Sequence, residues 1–329
     1  MYTSAQPVFS SHNLSALHAP AAQYKDIASG LLAMTLPKPV DNAVLWFRSE
    51  VKESIQWSGD PNKPLNLEAG SNGLRLHFLD EGSGPVVLWL HGSGPGASGY
   101  SNFKGNYPQF AAAGFRNLVV DLPGFGRSDK PEDVQYDLDF FVKTISGFLK
   151  AVGVKRATLL GNSLGGAIAL GLALAEPERV EKLILMAPGG VEERETYFQM
   201  IGIQRMVELY NAGPLGIEQM RRIMSLQLFD SSQLDDNLLA ERVAVAVHQP
   251  RNLFSTMMVP NMTDRLEELQ VPILGFWGTD DNFNPATGAL KVLKHTRNAR
   301  FIMLNRCGHW VQVEHRDLFN KACLDFLRS

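Results

Sequence analysis

Gly161-Asn162-Ser163-Leu164-Gly165 places a serine between two glycines. Ala157 to Leu160 are apolar or β-forming and predict a buried strand, and Gly166 to Ala175 is an apolar run that predicts a helix. Gly-x-Ser-x-Gly between a strand and a helix is the layout of a nucleophile elbow. The turn is tight enough that only glycine fits beside the serine, and its strain presents the hydroxyl above the sheet. The helix that starts there aims backbone N–H groups at any oxyanion formed on that serine.

A serine hydroxyl is a poor nucleophile until a base takes its proton. Of the eight histidines, His12 and His18 lie near the N-terminus, His77 in a strand pattern, His248 in a helical stretch, and His295 and His315 at surface helix positions. His91 opens the glycine-rich loop His91 to Gly99, where its ring can order the loop. His309 alone sits in a loop just past the last expected strand, in Asn305-Arg-Cys-Gly-His-Trp310, and is the candidate base. The base needs an acid to fix its tautomer and stabilise its cation. Asp280 and Asp281 both follow the strand that ends at Trp277, and one of them can instead tie down loop N–H groups. Asp281 is the better candidate, and Ser, Asp, His is the chain order of α/β-hydrolases. The oxyanion hole calls for the N–H of Leu164 and one from the glycine loop, for which Ser93 is the candidate.

These residues need a scaffold that brings strand ends together. Candidate strands at Val51–Trp57, Gly73–Leu79, Val86–Leu90, Leu118–Asp121, Ala157–Leu160, Val180–Ala187, Val271–Trp277 and Arg300–Leu304 are interleaved with helical patterns at Phe103–Ala113, Asp139–Val152, Ala286–Lys294 and Arg316–Leu327. Such alternation predicts an α/β fold: a mostly parallel eight-stranded sheet with helices on both faces. From Gly189 to Met262 no strand is convincing, and helices are expected at Gln199–Tyr210, Gly216–Leu228 and Asp235–Val247. The expected organisation is an N-terminal arm (1–45), a core (46–188 and 263–329) and an inserted helical cap (189–262) over the sheet edge where ligands bind.

The 329 residues are 45% hydrophobic and 20% charged, enough for a large core. A net charge of −3 without a basic stripe argues against nucleic acid as a partner. Two cysteines are too few for a disulfide framework or a zinc site. No apolar run approaches the ~18 residues of a membrane span, and no signal peptide pattern opens the chain. Cytoplasm is therefore the default location. No metal or organic cofactor is expected, because the triad and oxyanion hole supply the chemistry.

The sequence resembles the meta-cleavage-product hydrolases, a family of the α/β-hydrolase fold that breaks a C–C bond in ring-opened aromatic compounds. The resemblance runs from about Leu74 to the C-terminus. General hydrolase signals are the elbow and Asp121-Leu-Pro-Gly-Phe-Gly-Arg-Ser128. More discriminating are His91-Gly-Ser-Gly-Pro-Gly-Ala-Ser-Gly-Tyr-Ser-Asn102, Leu185-Met-Ala-Pro-Gly-Gly190 and Cys307-Gly-His-Trp-Val-Gln-Val-Glu314. A haloalkane dehalogenase or typical epoxide hydrolase would carry Asp in place of Ser163. The resemblance implies a 2-hydroxy-6-oxohexa-2,4-dienoate substrate and a homo-oligomer. It also implies that Asn102, Asn162 and Arg242 hold the polar head and that Phe283 and Trp310 line the pocket. An arginine fork suits a carboxylate; Arg221 and Arg222 are the fallbacks. The chain departs from the pattern at Ser93, often glycine in relatives, and at Gln227, where relatives often carry an aromatic residue.

The expected reaction therefore yields a 2-hydroxypenta-2,4-dienoate and a carboxylic acid, after the dienol becomes its keto tautomer. A carboxylesterase or lactonase with the same triad is the alternative within catalysis. A non-catalytic small-molecule receptor is the alternative of another class.

Overall fold

The computed structural model describes residues 73–329 apart from Pro214, together with the backbone of residues 42–48. The strand expected at Val51–Trp57 lies outside the described residues. The sheet has eight strands: β1 (Asn42–Arg48), β2 (Gly73–Glu81), β3 (Val86–Leu90), β4 (Arg116–Val120), β5 (Ala157–Asn162), β6 (Val180–Met186), β7 (Ile273–Gly278) and β8 (Ala299–Leu304). Their order is β1-β2-β4-β3-β5-β6-β7-β8. β2 pairs antiparallel with β1 and β4, and every other neighbour is parallel. β1 begins at Asn42, within the stretch assigned to the arm from sequence.

The strands are apolar on both faces because both faces are covered. Leu88 and Leu90 of β3 join one cluster with Leu118, Leu159 and Leu185, while Val87 and Trp89 join another with Val119, Leu160 and Phe276. Successive side chains of a strand point to opposite faces, so the two clusters are the two sides of the sheet. The first is roofed by α3 (Leu138–Ala151) and α4 (Leu164–Ala175). The second is roofed by α1 (Gly99–Phe103), α2 (Tyr107–Ala112) and α12 (Arg316–Arg328), through Phe103, Phe110 and Phe319. The single helix expected over Phe103–Ala113 is thus two short ones. Asn106 sits between them, and its side-chain amide is spent on Gln312 O and Asn320 Oδ1, each at 2.9 Å.

Between β6 and β7 the chain forms α5 (Arg194–Gln199), α6 (Ile201–Asn211), α7 (Ile217–Ser225), α8 (Asp236–Ala246) and the single turn α9 (Leu253–Thr256). A third cluster, with Met220, Ile223, Met224, Leu239 and Val243 at its centre, holds α7 and α8 together. Met220 and Met224 are therefore core. Trp310, from the segment after β8, is buried in the same cluster and ties these helices to the parallel sheet's carboxyl edge. α10 (Gly288–His295) links β7 to β8, and the short α11 (Val311–Glu314) precedes α12.

Candidate active site

Ser163 stands between β5 and α4 with φ 54° and ψ −114°. A non-glycine residue at positive φ is strained, and the surroundings must hold it there. Its N–H donates to Met186 O (3.0 Å), and its carbonyl accepts from Ala167 (3.0 Å) and Gly189 (2.9 Å). The flanking glycines are a matter of space. A Cβ on Gly165 would lie 2.0 Å from Leu90 O, and one on Gly161 2.3 Å from Gly165 O. Neither backbone oxygen can move aside without breaking the sheet or the helix. Leu164 opens α4, so its N–H has no acceptor within the helix.

His309 lies in the loop after β8 and is 4% exposed. Its Nδ1 is 2.7 Å from Asp281 Oδ2. Asp281 is buried, and its other oxygen accepts the N–H groups of Phe283 (2.8 Å) and Asn284 (3.0 Å). Three hydrogen bonds thus aim this carboxylate at the imidazole. Asp280 is exposed and accepts the Thr279 hydroxyl at 2.9 Å. Of the adjacent pair, Asp281 is the one that lies at the histidine. His91 is buried beneath the glycine loop, where Nδ1 donates to Gly92 O (2.7 Å) and Nε2 accepts the Leu122 N–H (3.0 Å). Burial pulls its pKa down to about 4, so it is a neutral loop organiser. His77 is paired with Asp121 at 2.8 Å, behind the site.

One cleft brings Ser163, His309, Ser93, Asn102, Asn162, Arg242, Phe283 and Trp310 together. Asp281 lies behind His309 and Leu164 behind Ser163, and neither lines the cleft. Ile203, Met206 and Gln227 reach it from the inserted helices, and Asn284 from the loop after β7.

Arg242, on α8, is 1% exposed. Nη1 donates to Pro95 O at 3.1 Å, whereas Nε and Nη2 have no partner among the described residues. Its guanidinium carbon lies 4.8 Å from the centre of the Trp310 ring, within cation–π range. Burial pulls its pKa down to about 9 against a smaller upward pull from Glu241, so the side chain is still cationic at neutral pH. A buried positive charge with two idle donors and no carboxylate bonded to it is a site for an anion. Arg221, a fallback from sequence, is instead paired with Asp236 on the surface. Asn162 donates to Met186 O and His309 O, both at 3.3 Å, and leaves Oδ1 unpartnered. Asn102 donates to Ser98 O at 2.8 Å. The Phe283 ring stands 5.3 Å from the His309 ring.

Two contributions were not assigned a role from sequence. Asn284 donates from Nδ2 to Ala187 O at 2.6 Å, fixing the loop that carries Asp281; an asparagine three residues past that aspartate was the only signal. Glu314 accepts from Phe229 N (2.7 Å), Asp230 N (3.1 Å) and Gly308 N (2.6 Å). It joins the inserted segment to the loop of His309, which its place in the Cys307–Glu314 motif did not reveal.

The α/β hydrolase family model matches residues 87–322. A model of the phytochrome region matches residues 2–77, most of which lie outside the described residues. The chain is 40% identical to a 2-hydroxy-6-oxo-6-phenylhexa-2,4-dienoate hydrolase of Burkholderia cepacia, over 80% of this chain and 94% of the relative. It is 39% identical, with the same coverage, to a 2-hydroxy-6-oxononadienedioate/2-hydroxy-6-oxononatrienedioate hydrolase of Comamonas testosteroni. Among solved structures, the 2-hydroxy-6-oxo-6-phenylhexa-2,4-dienoate hydrolase of Rhodococcus sp. strain RHA1 superposes with a TM-score of 0.70 at 28% identity, covering 78% of this chain and 95% of that one. The elbow, the Asp–His pair and the extent of these matches lead to one assignment: the chain belongs to the α/β-hydrolase family and, within it, to the meta-cleavage-product hydrolases.

Proposed function

We propose that this chain hydrolyses the C5–C6 bond of a 2-hydroxy-6-oxohexa-2,4-dienoate, giving a 2-hydroxypenta-2,4-dienoate and a carboxylic acid. The observation that carries the reading is the buried Arg242, with two idle donors, in the same cleft as Ser163 and His309. An ordinary ester does not need a buried cation there, whereas a dienoate head supplies its counter-charge.

Arg242, Asn102 and Asn162 bind the carboxylate and the 2-oxygen, while Phe283 and Trp310 pack against the carbon skeleton. A proton leaves the 2-hydroxyl and one is placed on C5, with His309 as the carrier; the product is the 2,6-dioxo tautomer. An oxygen nucleophile then adds to C6, and its proton passes to His309. Asp281 keeps the imidazole in the tautomer that accepts at Nε2 and stabilises the cation that results. The N–H groups of Leu164 and Ser93 hold the oxyanion formed at C6; each is worth about 3 kcal/mol in such a hole. When the C5–C6 bond breaks, its electron pair passes along the conjugated chain to the 2-oxygen, and His309 returns a proton. One water is consumed overall. Rapid-quench trapping of an acyl group on Ser163 tests attack by the serine, and exchange of solvent oxygen into the C6 ketone tests addition of water.

The working unit in this reading is a core that runs from β1 at Asn42 to residue 188 and resumes over residues 263–329, with an arm before β1 and a cap of residues 189–262. It acts as a homo-oligomer in the cytoplasm. The resemblance supports the first point, and two buried free thiols, Cys307 and Cys323, accord with the second. The decisive assay mixes the protein with 2-hydroxy-6-oxo-6-phenylhexa-2,4-dienoate, an alkyl analogue and p-nitrophenyl acetate. Fast loss of the dienoate colour beside weak ester hydrolysis is expected. Strong ester hydrolysis with the dienoate untouched would replace this reading with that of a carboxylesterase.

A further inference from the structure

Gln227 is 4% exposed and lines the cleft beside Arg242. A carboxamide there offers a ligand N–H donors and a carbonyl acceptor that an apolar residue of the same size would not. The residue is also held firmly. Its N–H donates to Met224 O at 3.0 Å, and its carbonyl accepts the N–H of His309 at 2.8 Å. The side chain is thus delivered from a backbone fixed to the loop of the proposed base. Its direction is marked by Gly94. A methyl group built on that glycine would lie 3.4 Å from Arg242 Nη1 and 3.8 Å from Gln227 Nε2. Gln227 Nε2 and the Arg242 guanidinium therefore flank the same floor of the cleft; Nη1 is held by Pro95 O, and the partnerless Nε and Nη2 belong to the same planar group.

We infer that Gln227 is a specificity residue for the oxygenated head of the substrate, donating from Nε2 to the carboxylate–2-oxygen group that Arg242 neutralises. This inference rests on the proposed dienoate reaction. Arg242 supplies charge, and Gln227 supplies a directional donor that a hydrocarbon side chain at this position lacks. A carboxamide also serves both tautomers of the head. Its N–H groups meet the carboxylate and a 2-oxo oxygen, and its Oε1 can accept from a 2-hydroxyl. The pair selects ligands carrying an anionic 2-oxo acid end over ketones or esters of similar bulk.

The test compares the wild type with Gln227→Leu and Gln227→Glu, each first checked for native far-UV circular dichroism and thermal midpoint. Steady-state constants are measured on 2-hydroxy-6-oxo-6-phenylhexa-2,4-dienoate and on p-nitrophenyl acetate. Binding of 2-oxopentanoate, which carries the head without a distal group, is measured by calorimetry. Losing a hydrogen bond to a charged group is expected to raise KM for the dienoate and Kd for 2-oxopentanoate about 10- to 100-fold in Gln227→Leu. Gln227→Glu, which sets a carboxylate against a carboxylate, is expected to do so at least as strongly. The ratio of dienoate to ester kcat/KM should fall by about tenfold or more in both variants. A wild type that consumes the dienoate, with Gln227→Leu unchanged to within about twofold in KM and Kd, overturns the role of Gln227 and leaves the proposed reaction standing. A wild type that neither consumes the dienoate nor binds 2-oxopentanoate overturns both.

Discussion

At the scale of single residues, the site divides between groups fixed by hydrogen bonds and groups left open. Asp281 is fully committed: His309 holds one oxygen, and two backbone N–H groups hold the other. Replacing it by asparagine keeps the shape but offers the imidazole a neutral partner and the wrong tautomer. We expect Asp281→Asn to lower kcat for the dienoate by about 10³- to 10⁴-fold, with KM changed far less. Ser163→Ala and His309→Ala should lose at least as much, and the double variant little more, because members of one relay do not act additively. Stopped-flow decay of the dienoate colour measures all of these, and full activity in either single variant would sink the site assignment. Arg242 is the open group. Arg242→Lys keeps a charge but loses the planar fork and the stacking on Trp310, so the expected effect is a rise in KM of about tenfold or more with a smaller change in kcat.

At the scale of elements, the site depends on loops that follow parallel strands and on one clamp to the inserted helices. Glu314 accepts N–H groups from Phe229 and Asp230 on one side and from Gly308 on the other, and Gln227 O accepts the neighbouring His309 N–H. The segment 227–230 and the loop of the proposed base therefore move as one piece. Glu314 is a positioning residue in this view. Glu314→Ala should lower kcat for the dienoate about tenfold and speed amide hydrogen exchange at Gly308 and His309. Glu314→Gln keeps one accepting oxygen but sets its NH2 against N–H groups on the other side, so it should recover only part of the loss. Unchanged exchange at Gly308 and His309 in Glu314→Ala would show that the clamp does not hold this loop. Behind α1, Asp121 does similar work. Burial alone would raise its carboxyl, but the paired His77 and the Arg127 N–H hold it at about 2. Its other oxygen accepts the Gly99 N–H at 2.7 Å and so places the helix that carries Asn102.

For the whole molecule, the neutral His91 makes acid a stress on the fold. Its Nε2 accepts the Leu122 N–H, so protonation there removes an acceptor and leaves two N–H groups facing each other. Burial lowers its pKa from 6.5 to about 4. Between those values the unfolded chain binds a proton that the folded chain does not, so stability is full above pH about 6.5 and falls as pH drops towards 4. The loss attributable to this ring is on the order of 3 kcal/mol. Urea unfolding at pH 7 and pH 4.5 measures it, and the difference should shrink in His91→Asn. An undiminished difference would move the effect to another group. No helix of the described residues is long and apolar enough to cross a membrane.

Much of the fold, and the candidate residues that it brings together, were legible in the sequence, for local reasons. The strand β3 over Val86–Leu90 reads directly because a strand covered on both faces must be apolar throughout. The elbow reads because Gly161 and Gly165 have no room for a side chain against backbone oxygens. His309 and Asp281 read because parallel strands place their following loops on one edge of the sheet. Other features depended on contacts between distant segments. The break between α1 and α2 comes from Asn106 bonding to residues more than 200 positions away. The isolation of Arg242 follows from how α8 packs on the glycine loop, and no spacing in Leu238-Leu-Ala-Glu-Arg242 encodes it. Gln227 reads from sequence as a simple departure from an aromatic position, and only the fold sets its amide beside that guanidinium. Sequence by itself determined which residues are candidates to react, since periodicity and steric fit are local. Tertiary structure decided which polar groups are left without partners, and so where a charged substrate head can be received, because burial is a property of the packed whole.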